Sequence, residues 1–285
     1  MTEMVINVND VRYFYPDGFL ALDSVNVSIS KGEKVAILGS NGAGKSTLLM
    51  LINGLFKPSK GSIEVLGMPI NNENLHMIRS QVGFVFQDSD DQLFCPTLWD
   101  DITFGLLNMG LCNDEVIKRA KDALKIVGLE GYEKKAPHHL SIGEKKKATI
   151  AIVLAMEPDV LILDEPTANL DPKSRVELIK LINSLHNMRD ITLVIASHDV
   201  DFIPMVTERG YILAKGKILA EGYLEDLFSN FKVIDEAKLE PPTITRLFKL
   251  LNRLVGKDVV QPLPLTIDKA LYEIRHHLAE ASKII

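Results

Sequence analysis

Lys34-Val35-Ala36-Ile37-Leu38 runs directly into Gly39-Ser40-Asn41-Gly42-Ala43-Gly44-Lys45-Ser46-Thr47, and this junction decides the fold. The first segment is apolar without alternation, the pattern of a strand buried on both faces. The second fits G-x-x-x-x-G-K-[S/T], a phosphate-binding loop when it joins a strand to a helix. Its glycines let backbone N–H groups wrap an anion, and a helix starting near Lys45 adds partial positive charge at its N-terminus. Lys45 would then bridge the β- and γ-phosphates of a nucleotide, and Ser46 would place its hydroxyl on Mg²⁺.

Outward from this junction, further buried-strand runs occur at Val82 to Phe86, Val160 to Leu163 and Thr192 to Ala196, separated by helical pattern. That order predicts an α/β core, a parallel sheet covered by helices. Shorter β-rich runs precede it at Val5 to Val8 and Val25 to Ile29. Between Thr97 and Gly128, Leu106, Ile117, Ala120, Leu124 and Val127 are spaced for one buried helical face, and Pro137 marks the end of this helical insertion. Beyond the hairpin-like stretch Tyr211 to Glu221, Pro241, Pro242, Pro262 and Pro264 interrupt amphipathic pieces at Thr245 to Leu254 and Thr266 to Leu278. A small helical extension is expected from about residue 223.

The chain has 285 residues, 46% hydrophobic and 25% charged, enough for one substantial core and a smaller appendage. No apolar run approaches the about 18 to 20 residues that span a bilayer, and MTEMVINVND lacks the order of a signal peptide, so a cytosolic protein is expected. A net charge of -6 with no basic stripe argues against nucleic acid as a partner. Cys95 and Cys112 offer neither a disulfide framework nor metal-ligand spacing.

Val160-Leu161-Ile162-Leu163-Asp164-Glu165-Pro166 is an apolar strand ending in two carboxylates. They should emerge at the C-terminal edge of the sheet, where ligands of open α/β sheets bind. Asp164 suits an Mg²⁺ site, and Glu165 suits a base that orients or deprotonates the attacking water. Two acids after a strand are by themselves more often a helix cap; the glycine loop upstream reverses that reading.

Kinases and small GTPases share those elements, so the rest of the chain decides the class. His138-His139-Leu140-Ser141-Ile142-Gly143-Glu144 precedes a helix, Ala168-Asn169-Leu170-Asp171 follows the second acid, and Gln87 and His198 each end a strand. In order and spacing, Met4 to about Leu227 resembles the ABC ATPase family: Walker A, Q-loop, signature, Walker B, D-loop and switch histidine. The resemblance implies a P-loop NTPase with a RecA-like core, an antiparallel β subdomain and a helical subdomain at about 88–156. The ATPase domain would cover 1–222 and the helical extension 223–285.

ATP and Mg²⁺ are the implied ligands. Ser46, Gln87 and Asp164 would hold the metal, Glu165, His198 and Gln87 would serve hydrolysis, and Tyr15 would stack on adenine, with Tyr13 as its competitor. Ser141, Gly143 and Glu144 would cover the nucleotide of a second ATPase subunit in a head-to-tail homodimer. Two departures stand out: Ile142 replaces the family's usual glycine and Glu144 its usual glutamine, which removes an amide donor.

Residues 86 to 105, FQDSDDQLFCPTLWDDITFG, resemble the corresponding stretch of energy-coupling-factor (ECF) importers, with Gln92, Leu93, Phe94 and Thr97 in matching places. Asp88, Asp90, Asp91, Asp100 and Asp101 read as a solvated acidic face, or as a groove for a basic coupling helix. The stretch from Gly143 through Lys145, Lys146 and Lys147 to LAMEPDVLILDEPTANLDP looks most like the cobalt and nickel import ATPases; vitamin importers are the alternative. The lysine run itself reads as a solvated helix face. His138, His139 and Cys112 are given no metal, since adjacent histidines cannot both point at one ion from a regular element.

The expected partners are a transmembrane coupling subunit and a substrate-binding membrane subunit, with this chain peripheral at the cytoplasmic face of the membrane. LEPPTITRLF, Leu239 to Phe248, resembles the tail through which ECF ATPases dimerise. The competing reading, a soluble ABC protein acting on nucleic acid, lacks the coiled-coil insertion, tandem domains or basic stripe it would need. A non-hydrolysing module would need a damaged loop or no Glu165, and both are intact.

Overall fold

The structure, a computed structural model, describes residues 3–255 and 262–281. Met1 and Thr2, and residues 256–261 and 282–285 of the expected extension, lie outside the described residues.

The chain opens with β1 (Met4–Phe14), β2 (Leu20–Ser30), β3 (Lys34–Leu38), α1 (Lys45–Ile52), β4 (Lys60–Val65) and β5 (Met68–Pro69). Next come α2 (Leu75–Gln81), β6 (Val82–Val85) and three helices, α3 (Leu98–Asn108), α4 (Asn113–Val127) and α5 (Ile142–Ala155). β7 (Val160–Asp164), α6 (Pro172–Arg189), β8 (Thr192–Ser197), β9 (Arg209–Ala214) and β10 (Lys217–Tyr223) complete the core. The chain continues through α7 (Leu224–Ser229), α8 (Phe231–Glu236), α9 (Thr243–Val255) and α10 (Ile267–Ala281).

One sheet has strand order β2-β1-β4-β5 and is antiparallel; the other runs β10-β9-β3-β8-β7-β6, parallel except for the β9–β10 hairpin. Each central strand divides its residues between two cores by simple alternation. Val35, Ile37, Val160, Ile162, Val194 and Ala196 face the antiparallel sheet and α1. Ala36, Leu38, Leu161, Leu163, Leu193 and Ile195 face the helices α3 to α6. Burial on both sides is why these strands read as unbroken apolar runs.

The helical pattern from Thr97 breaks at Met109 to Cys112, where Gly110 takes a positive φ, so it forms two helices. Ile117 corrects the expected face: it is 42% exposed, and Val116, Ala120, Ala123, Leu124 and Val127 are buried instead. Val116 leads the row that recurs at i+4, i+7 and i+11, and Ile117 sits about 100° around the helix from it. Val5 to Val8 and Val25 to Ile29 prove to be parts of longer strands, because β1 pairs with both β2 and β4.

The extension is joined to the core broadly, with Leu224, Leu227, Phe228, Ile234, Ala237 and Leu265 buried in the larger hydrophobic core. The Thr243 N–H and hydroxyl donate to the Asp201 carboxylate at 2.7 and 2.8 Å, in the loop that follows β8. Phe248, Leu263 and Ala270 form a small core of their own, while Leu247, Leu250, Leu251 and Leu254 of α9 are exposed.

Candidate functional site

β3, β8 and β7 are neighbours, and their parallel C-terminal ends deliver the glycine loop, Ser197-His198 and Asp164-Glu165 to one edge of the sheet. Gly44 makes the entry to α1 possible: its φ of 108° is closed to most side chains, and a Cβ there would lie 2.8 Å from Leu22 Cδ2. The loop turns tightly enough to bury Lys45, whose Nζ donates to the carbonyls of Gly39 (2.8 Å) and Ser40 (3.3 Å) and lies 3.0 Å from Glu165 Oε1.

Glu165 is the centre of the site. His198 Nδ1 is 2.9 Å from Oε1, the His198 N–H donates to the same oxygen at 3.1 Å, and the Ser197 hydroxyl donates to Oε2 at 3.1 Å. Burial pushes its pKa up, but His198 and Lys45 outweigh burial and hold the carboxyl below its ordinary range. Its φ of 44° is a conformation that costs a non-glycine residue about 1–3 kcal/mol. The hydrogen bond from its N–H to Ala196 O (2.9 Å) holds it there.

Asp164 is 2% exposed, hydrogen-bonds the Ser46 hydroxyl, and has an Oδ1 with no partner. Burial pushes its pKa up. An orphaned, buried carboxylate oxygen beside a hydroxyl suits a hard divalent cation, and the exposed Gln87 borders the same cavity as Ser46 and Asp164. An acid whose folded pKa is raised adds stability at pH below the free-aspartate range, and that contribution is lost as pH rises through the folded value. Asp164→Asn is therefore expected to melt above the wild type near neutral pH. The gain should vanish in acid; calorimetry across pH checks it.

Two cavities adjoin at Ser46 and Gln87. One, of about 340 Å³, is bordered by Tyr15, Phe19, Asn41, Gly42, Lys45 and Thr47 among others. The other, of about 510 Å³, reaches Asp88, Ile142, Lys145, Lys146 and Asn169. Tyr15 donates to or accepts from Thr47 Oγ1 at 2.8 Å, whereas Tyr13 is buried and stacked on Phe56. Of the two tyrosines only Tyr15 borders the cavity. Gly39 and Ala43 are buried within the loop.

Ser141 caps α5 in a reciprocal box: its Oγ accepts the Glu144 N–H at 3.3 Å and Glu144 accepts the Ser141 N–H at 2.8 Å. The hydrogen bond from the Ser141 backbone holds the Glu144 carboxyl below its usual range. Glu144 thus works as an acceptor, a task that needs no amide donor. Gly143 is small for a reason inside the chain: a Cβ there would lie 2.6 Å from Ser174 Oγ. Ile142 is exposed at the cavity rim.

The lysine run is not a solvated face. Lys145 pairs with Asp90 and Lys147 with Glu177, both at 2.6 Å. Lys146 is 2% exposed and donates to the carbonyls of Phe86 and Gln87, pinning α5 to the end of β6. It is the residue that sequence reasoning missed; three lysines in a row carry no signal that the middle one is buried. Asp101 is likewise no surface acid, being buried with its Oδ1 accepting the N–H groups of Phe94 and Cys95. Burial, with Asp101 beside it, pushes the Cys95 thiol up to about 11, the property of an inert thiol.

Residues 22–168 match the family model described as ABC transporter. The chain is 45% identical over 251 residues to the energy-coupling factor transporter ATP-binding protein EcfA of Methanocaldococcus jannaschii, covering 87% of this chain and 90% of that one. Among solved structures, cbiO1 of Clostridium perfringens, part of the ABC transporter complex cbiONQ, superposes with a TM-score of 0.75 at 40% identity, over 88% of this chain and 99% of the other. The ATP-binding cassette MJ0796, dimeric and bound to ADP and Pi after hydrolysis, gives 0.70 at 30% identity over 77% and 98%.

Proposed function

The chain belongs to the ABC transporter family of ATP-binding proteins, in its energy-coupling-factor group, and from that premise we propose that it hydrolyses ATP to power uptake of cobalt or nickel ions through separate membrane subunits. The observation that carries the hydrolytic part is the convergence of Lys45, Glu165 and His198 at the ends of three adjacent strands, with Lys45 Nζ 3.0 Å and His198 Nδ1 2.9 Å from Glu165 Oε1.

In this reading ATP lies on Gly39 to Thr47 with its triphosphate drawn to Lys45 and to the N-terminus of α1. The Lys45 ammonium turns from Glu165 toward the γ-phosphate, which frees a lone pair on Oε1 to orient water and accept its proton. His198 then keeps the carboxylate aimed and donates toward the γ-phosphate. Ser46, Asp164 and Gln87 would hold Mg²⁺, which neutralises phosphate charge when bound. Ser141 and Gly143 of a second copy cover the triphosphate in a homodimer, and the exposed leucines of α9 add to that interface.

The exposed and acidic segment around Asp88, Asp90 and Asp100 receives a basic helix of a transmembrane subunit at the cytoplasmic face of the membrane; among the described residues no helix is long and apolar enough to cross one. Metal as cargo is supported by the resemblance of the sequence from Gly143 to Pro172 to the cobalt and nickel import ATPases. Cells carrying Glu165→Gln in place of the wild type are expected to lose uptake of labelled Co²⁺ and Ni²⁺ and keep uptake of a labelled vitamin. The reverse pattern would keep the ATPase and overturn the cargo.

A further inference from the structure

The 340 Å³ cavity is lined by the phosphate loop, with Lys45, Thr47 and Glu165 buried, and by an aromatic ring that hydrolysis leaves unused. Phe19 is 63% exposed and borders the same cavity as Tyr15 and Thr47. The Tyr15 and Phe19 rings are nearly parallel, 27° apart in plane and 6.5 Å apart at their centroids. Two successive carbon contacts of about 3.5 Å need about 7 Å. A flat ring system between two such faces needs their planes that far apart, so Phe19 must move on its turn to admit one.

The two walls are held differently. Tyr15 is anchored by its hydroxyl to Thr47 Oγ1 at 2.8 Å and meets the rings of Tyr13 and Phe56 edge-on, at 5.2 and 6.0 Å. Phe19 rides on a turn closed by the Tyr15 N–H donating to Phe19 O and the Gly18 N–H donating to Tyr15 O, both at 2.9 Å, with Gly18 at a φ of 87°. Among the described residues the ring contact of Phe19 is with Tyr15. One wall is fixed and the other sits on a surface hairpin.

We propose that Phe19 is a second base-contacting residue, closing on the nucleobase from the face opposite Tyr15. This rests on the reading that the cavity takes a nucleoside triphosphate. Both walls offer π faces and no edge-reading donors, so the clamp selects a large planar ring and is indifferent to its exocyclic groups. Purine triphosphates gain more from it than pyrimidine ones.

The test is equilibrium binding of ATP, CTP and inorganic tripolyphosphate to the full chain as wild type, Phe19→Ala and Phe19→Tyr. Base stacking on an aromatic ring predicts that Phe19→Ala weakens ATP about 5- to 30-fold. CTP should lose less, tripolyphosphate should bind unchanged, and Phe19→Tyr should restore ATP. ATP binding within about two-fold of wild type in Phe19→Ala overturns the proposal. So does an equal loss for ATP and tripolyphosphate, which would mean that the loop, not the base contact, was damaged, and so does a failure of Phe19→Tyr to restore binding. A folded wild type that binds tripolyphosphate and ATP equally would overturn base contact altogether, and one that binds neither would overturn the nucleotide reading itself.

Discussion

Glu165→Gln should bind ATP as tightly as the wild type, hydrolyse it about 10²- to 10⁴-fold more slowly, and accumulate as an ATP-bound dimer on gel filtration. The range is what a positioned general base contributes. The substitution keeps one carbonyl oxygen, so the Ser197 hydroxyl and the His198 N–H retain an acceptor, and the fold is not asked to bury a new unpaired group. What it removes is the negative charge that draws Lys45 and His198 together and that accepts the proton of water. Phosphate release assays measure the rate, and a variant that turned over within a few-fold of the wild type would take Glu165 out of the chemistry. Because the site is expected to open again only after hydrolysis, the stalled dimer and the slow rate should appear together.

Lys45→Ala should weaken ATP binding about 10- to 100-fold, the loss expected for a charge-assisted contact to phosphate, and should also destabilise the protein. The second effect comes from Glu165, which would keep its buried charge and lose the partner at 3.0 Å, in a place where both side chains are almost fully enclosed. Removing one member of such a pair costs about 3–5 kcal/mol, more than the pair itself is worth. The pH dependence has a definite sign. A carboxyl whose folded pKa is lowered contributes stability above its unfolded pKa and loses it as pH falls through the folded value. Lys45→Ala removes part of that depression, so its deficit should be largest near neutral pH and shrink in acid. The double variant Lys45→Ala with Glu165→Gln should recover much of the lost stability and none of the ATP binding, a separation that thermal melts and binding titrations together resolve.

These effects trace to features of different legibility. The strand-loop-helix junction at Lys34 to Thr47 was readable because everything it needs is local: an apolar run, glycines for a backbone that wraps an anion, and a helix beginning at Lys45. The same holds for the carboxylates after β7 and the histidine after β8, whose positions follow from strands buried on both faces. Ser141 and Glu144, three apart at the start of a helix, spell a capping box in sequence alone, although the reading took Glu144 for a lost donor.

Spacing favoured Tyr15, which lies thirty residues before Lys45 and one residue beyond β1, over Tyr13 inside the strand, but the physical choice is tertiary. It turns on what packs across from each, Phe56 over Tyr13 and Thr47 beside Tyr15, and those neighbours come from α1 and the segment that follows it. Ile117 and Val116 are equally apolar, and only the docking of α4 on α5 says which is covered. Lys146 looks like its neighbours in sequence, and burial follows from α5 lying against the end of β6, a contact between segments far apart in the chain.

By itself, then, the sequence determined the α/β class, the phosphate loop, the acidic strand end and the caps, because hydrophobic alternation, glycine conformation and helix-terminus chemistry act over a few residues. The tertiary structure alone decided that Lys45, Glu165 and His198 share one point, that Lys146 is buried and that Phe19 faces Tyr15. Those depend on which strands become neighbours and how helices settle on them, and that outcome is set by packing over the whole core, which no short window of residues contains.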